Sequence, residues 1–148
     1  MNFLVKLLSC GLGTGFSPVA PGSAGSALAA GFILLAASWW SPPAALGISA
    51  ATFLLGVYCT TRVEKYWGHD SRKMVIDEIA GMFLAASFIE INLYQVGAAF
   101  VIFRILDIIK PPPAAWAEKL PSGWGVMTDD LVAGAYTVLI LWGLNRWM

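Results

Sequence analysis

The sequence predicts an all-α fold: a multi-pass integral membrane bundle of about four to five membrane helices, one domain over residues 1–148, with an acidic site at its cytoplasmic face. Three observations lead there. Hydrophobic residues supply 58% of the 148 positions and charged residues 12%, and the mean hydropathy of +0.72 is too high for an ordinary soluble domain. Apolar stretches of helical length recur between Pro- and Gly-rich interruptions. Five of the nine acids gather at three points beside apolar runs: Asp77-Glu78, Asp107 and Asp129-Asp130.

Met1 to Cys10 is apolar but too short for a crossing, which takes ~20 residues. It either lies at the interface or tucks into the bundle, and it lacks a signal-peptide cleavage pattern. Gly11 to Ser26 is dense in Gly, Pro and hydroxyls, and Pro18 and Pro21 forbid a regular helix through it. Ser23 is the expected N-cap of a first membrane helix from Ala24 to Trp40, which ends in the interfacial pair Trp39-Trp40. Ser41-Pro42-Pro43 turns the chain into a second span, Ala44 to Cys59. Thr60 to Lys73 is the polar centre. It holds Arg62, Lys65, Arg72 and Lys73, four of the nine basic residues, and belongs on the cytoplasmic side by the positive-inside rule.

Ile79 to Phe103 decides the topology. As one straight helix of ~25 residues it would hold Asp77 and Asp107 about 45 Å apart, on opposite faces. A hairpin turning near Glu90 to Leu93 returns both acids to one face and leaves Glu90 and Asn92 in reach of water, whereas a Glu in mid-bilayer costs several kcal/mol. Pro111-Pro112-Pro113 ends that helix, and Ala114 to Leu120 forms a short interfacial one. Pro121 to Gly125 is a second flexible loop. Asp129-Asp130 then opens a last span, Leu131 to Leu144, where the macrodipole also favours acids.

Carboxylates beside apolar runs are costly unless compensated, and a divalent cation is the usual compensation. A hard oxygen set without His or Cys favours Mg2+ over zinc. Arg104, Asp107 and Lys110, spaced i, i+3, i+6, share a broad side of one helix. They offer a bidentate fork and a point charge for phosphate oxygens. The loop carrying Gly22, Ser23 and Ser26 runs into a helix N-terminus, which can aim backbone N–H groups at a phosphate. A flexible turn with small packing residues is the competing reading there, as an interfacial salt-bridge network is for the charges. The pattern points to a metal-bridged phosphate ester at a membrane surface.

Zero net charge leaves no global field to recruit nucleic acid. Cys10 and Cys59 lack zinc or disulfide spacing and read as buried bystanders. His69, the single histidine, reads as an exposed loop residue. The rival function is a small cation or proton transporter using interfacial carboxylates, and a third is a non-catalytic membrane subunit. A transporter would place its acids deep within helices, and these sit near predicted helix ends.

Four blocks carry a resemblance: GTGFSPVAPGSAGS (13–26), VIDEIAGM (75–82), FRILDIIKPPP (103–113) and GVMTDDLVAG (125–134). In order and across nearly the whole chain, they resemble the phosphatidylglycerophosphatase A family of bacterial membrane phosphatases. The resemblance implies Mg2+-dependent removal of the terminal phosphate from phosphatidylglycerophosphate, giving phosphatidylglycerol, in the bacterial inner (cytoplasmic) membrane. Carried over by position, it implies Asp77, Glu78, Asp107, Asp129 and Asp130 as the acidic catalytic and metal-binding residues. Arg104 and Lys110 are then the phosphate partners. No D-x-D-x-[TV] pattern, Cys-based phosphatase loop or multiple-His set is present for the better-known phosphatase chemistries.

Overall fold

A computed structural model describes residues 2–147, and the regular elements within them are all helical. They are α1 (Phe3–Ser9), a 3-10 segment (Gly11–Phe16), α2 (Pro21–Leu35), α3 (Pro42–Trp67), α4 (Ile76–Ala85), α5 (Leu93–Ile109), α6 (Ala114–Ala117) and α7 (Gly123–Trp147).

Three helices begin or end away from where the sequence suggested. α2 starts at Pro21, behind an Ala20 in the left-handed region at φ 46°. Proline has no N–H to lose at the first helical position and brings a helical φ with it, so Pro21 opens the helix instead of forbidding it. Ser23 therefore lies inside α2 and is not its N-cap. α2 stops at Leu35, leaving Trp39 and Trp40 in the turn, where the Trp40 indole donates to the Ala86 carbonyl at 3.1 Å.

α3 runs past Cys59 to Trp67, so the first half of the expected polar loop is helical. Arg62, Glu64 and Lys65 are good helix formers, and no proline interrupts. Gly68 ends the helix at φ 88°, its N–H bonded to the Glu64 carbonyl at 2.7 Å. α7 begins at Gly123 and has no acid in its first turn. Asp129 and Asp130 thus lie well inside the helix, and the macrodipole does not account for them.

Between Ala85 and Leu93 the chain reverses, and the Asn92 side chain caps α5 by accepting from the Gln95 N–H at 2.9 Å. Helices α2, α3, α4, α5 and α7 alternate in direction. α4 is the axis, packed on α7, α3 and α2, while α5 lies on α7 and α2. Ile33, Met82, Phe83, Phe103, Ala133 and Leu141 form the main core. α4 and α7 meet almost backbone to backbone. A Cβ on Gly81 would stand 2.7 Å from the Asp130 carbonyl oxygen, and one on Gly134 would stand 2.5 Å from that of Gly81. Such small-residue crossings are how helices gain contact where lipid removes the hydrophobic drive between them.

α3 and α7, with 26 and 25 residues, are long and apolar enough to cross a membrane. α2, α5 and α4 are shorter, at 15, 17 and 10 residues. Leu35, Leu54, Val101, Ile108, Leu139 and Trp142 point outward and exposed. So much apolar surface is unfavourable in water and suits contact with lipid.

Candidate active site

Because the helices alternate, the starts of α2, α4 and α7 share one end of the bundle with the ends of α3 and α5. A cleft of about 580 Å³ opens there, lined by Gly22, Asp77, Glu78, Arg104, Asp107 and Lys110, together with Asp70, Ser71 and Arg72 from the α3–α4 connection.

Asp77 and Glu78 occupy the first turn of α4. The tight α4–α7 crossing brings Asp130 beside them, and carboxylate oxygens of the three lie within 4.8 Å of one another. Asp77 and Asp130 are 7% and 2% exposed. Asp77 Oδ1, Glu78 Oε2 and Asp130 Oδ2 are buried without hydrogen-bond partners among the described residues. Grouped, desolvated anions with unspent lone pairs repel one another unless a cation or protons intervene. The donors are hard oxygens without nitrogen or sulfur, a set that fits a hard divalent cation such as Mg2+, Ca2+ or Mn2+.

Arg104 approaches this group from α5. Its Nη1 is 2.6 Å from Asp107 Oδ2 and 3.7 Å from Glu78 Oε1. The first is a charge contact poorly aligned for hydrogen bonding, since Nη1 and Nε have no hydrogen-bond partner among the described residues. The guanidinium is thus neutralised by carboxylates, while its buried Nη1 and Nε donors are unspent among the described residues. Gly22 abuts Glu78 and Arg104 so closely that any Cβ would collide with both.

Lys110 Nζ reaches Asp129 Oδ2 at 2.6 Å and Glu118 Oε1 at 3.3 Å. Partial burial works against its charge, yet the hydrogen bond and charge of Asp129, with Glu118 behind them, hold the ammonium above the ordinary lysine range.

The five expected acids and both expected cations therefore meet at one end of the molecule. Asp129 and Asp130 sit behind the cleft lining. Of the expected loop contacts only Gly22 reaches the cleft. Ser26 is buried and donates to the Gly22 carbonyl at 3.0 Å, and Ser23 does not line the cleft. Sequence reasoning passed over Asp70, Ser71 and Arg72 by treating residues 60–73 as a marker of sidedness. The available signal was an acid and a base just ahead of the VIDE block. Ala20, Asp70 and Lys110 all line the cleft and all have left-handed backbones, at φ 46°, 49° and 49°. For Ala20 and Lys110 this costs of order 1–3 kcal/mol each, and such strain clusters at functional sites.

A family model described as phosphatidylglycerophosphatase A matches residues 7–145. A protein of that name from Haemophilus influenzae is 37% identical over 97% of this chain and 90% of its own length. One from Escherichia coli is 39% identical over 95% and 83%. A Bacteroides thetaiotaomicron protein provisionally named phosphatidylinositol-3-phosphatase is 37% identical over 99% and 96%. No solved structure matches the chain. With the four motif blocks lying inside the matched span and their charged residues meeting at one cleft, the chain belongs to the phosphatidylglycerophosphatase A family and is a phosphatase.

Proposed function

We propose that this phosphatase hydrolyses the terminal phosphate of phosphatidylglycerophosphate to leave phosphatidylglycerol, using Mg2+. It would act as a single-domain, multi-pass protein of the bacterial inner membrane, with the cleft facing the cytoplasm. The observation that carries the chemistry is the juxtaposition of three buried carboxylates holding unspent oxygens with a guanidinium holding unspent donors. The relatives' names support the substrate, and the family relationship gives no support to the transporter alternative.

Asp77, Glu78 and Asp130 would hold the ion, with Asp107 and Asp129 as the nearest further acids. Bound there, Mg2+ supplies positive charge against the phosphoryl oxygens. Arg104, steadied by Asp107, donates its N–H groups to the same oxygens, which carry most of the charge in a loose phosphoryl transition state. Gly22, lacking a side chain, lets Glu78 and Arg104 lie together against the start of α2. Lys110 restrains Asp129 and adds positive charge at the rim. Water's oxygen bonds to phosphorus as the ester P–O bond breaks. Water loses one proton, the departing alkoxide gains one, and phosphatidylglycerol and inorganic phosphate result.

The test is inorganic phosphate release from lipid micelles with Mg2+ and with EDTA. Phosphatidylglycerophosphate and phosphatidylinositol 3-phosphate are offered separately, because the Bacteroides relative's name raises the second lipid. The expected result is Mg2+-dependent release with the first substrate preferred. Undiminished release in EDTA would remove the metal, and preference for the inositol lipid would change the substrate.

A further inference from the structure

Four acids line the cleft: Asp70, Asp77, Glu78 and Asp107. Three have evident commitments. Asp77 and Glu78 belong to the carboxylate cluster with Asp130, and Asp107 is held by Arg104. Asp70 differs on each count. It is exposed at the cleft, and it makes no ion pair among the described residues.

Its backbone is left-handed, at φ 49°, and the chain is anchored on both sides of it. Before it, the Gly68 N–H bonds the Glu64 carbonyl at 2.7 Å, and His69 Nδ1 lies 2.6 Å from Glu64 Oε1. Glu64 is itself gripped by the Ser122 hydroxyl at the foot of α7. After it, the Met74 N–H bonds the Ser71 carbonyl at 2.8 Å. Aspartate is one of the few non-glycine residues that visit the left-handed region, and the contacts on either side hold this uncommitted acid at the cleft.

We infer that Asp70 is the general base of the reaction, a role that rests on the phosphatase function proposed above. A base needs a lone pair that is not spent on a cation and that water can reach, and Asp70 has both. As the water oxygen bonds to phosphorus, one water proton passes to the Asp70 carboxylate. The electron pair of the breaking ester bond stays on the departing glycerol oxygen, which takes a proton from water at the open cleft. Asp70 then returns its proton to solvent.

The experiment compares wild type with Asp70→Asn and Asp70→Gly, both of which accept the left-handed backbone. On phosphatidylglycerophosphate micelles, kcat should fall about a hundredfold or more in both variants, the scale of a lost general base. KM and the Mg2+ concentration for half-maximal rate should stay within about twofold, and the rise in Tm on adding Mg2+ should be unchanged. A kcat within about threefold of wild type overturns the inference. So does a rise in KM without loss of kcat, or a loss that excess Mg2+ restores, which would make Asp70 a metal ligand. Wild-type protein that releases no phosphate would remove the parent function and this role together. An inactive Asp77→Asn beside a normal Asp70→Asn would remove this role alone.

Discussion

Asp77→Asn, Glu78→Gln and Asp130→Asn each take one anionic donor out of the buried cluster while nearly preserving volume. Each should lower Mg2+-dependent phosphate release at least about a hundredfold. In EDTA each should also raise Tm, because one of three crowded, desolvated charges is gone. Variants no more stable than wild type in EDTA would mean that the acids do not repel and that no ion is needed to reconcile them. Arg104→Lys keeps the charge and loses the fork, so steady-state turnover should fall. Arg104→Ala should do worse, by about 2–4 kcal/mol of transition-state stabilisation. A wild-type Arg104→Lys would mark the arginine as a partner for Asp107 only. Lys110→Ala strands Asp129, so beyond a raised KM it should lose about 1–3 kcal/mol of stability in thermal denaturation. The acids were legible because carboxylates beside apolar runs demand a reason, and Arg104 was legible from helical spacing. The Lys110–Asp129 pair was not, since nothing local specifies how α5 meets α7. The Ser26 bond to Gly22 was hidden too, because it follows from α2 starting at Pro21.

At the scale of elements, a proline at a helix start and a proline that breaks a helix look alike until the chain on either side is seen. That is why α2 and α3 begin at prolines that read as turns. The polar half of α3 misled for a different reason: charge marked it as a loop, whereas its residues are good helix formers that keep their polar ends in water. The α4–α5 reversal was readable, because a turn leaves Glu90 exposed where a continuous apolar helix would have carried its charge mid-run. The α4–α7 crossing offers a sharp test. Gly81→Ala places a methyl against the Asp130 carbonyl and the Phe103 ring. It should lower stability in detergent by about 1–3 kcal/mol and shift Asp130 out of the cluster, impairing turnover. Gly97→Ala on α5, where nothing lies within 4 Å, is the control and should not lower Tm. Equal effects from the two would mean that the crossing is not tight.

For the whole molecule, the sequence led to an expectation of about four to five crossings, and two helices have the length for it. The other expected crossings fall on α2 and on the α4–α5 hairpin, whose helices of 15, 10 and 17 residues are each shorter than the ~20 that a crossing takes. Alternating helix directions predict sidedness. Single cysteines at Lys73 and Lys119, in a background lacking Cys10 and Cys59, should label from one side of sealed vesicles, and those at Trp39 and Arg146 from the other. Lys73 and Lys119 labelled from opposite sides would break the bundle as described.

The cleft opens at the end of a bundle whose flanks are apolar, and this has a consequence for how the reaction is fed and drained. Lipid substrate would arrive by lateral diffusion, so the rate should follow its mole fraction in the film. Diluting it with inert detergent at constant bulk concentration should slow turnover. The two products would part by phase, the dephosphorylated lipid drifting off in the leaflet and the phosphate ion escaping into water. Partitioning, and not only the free energy of the bond, would then oppose the reverse reaction.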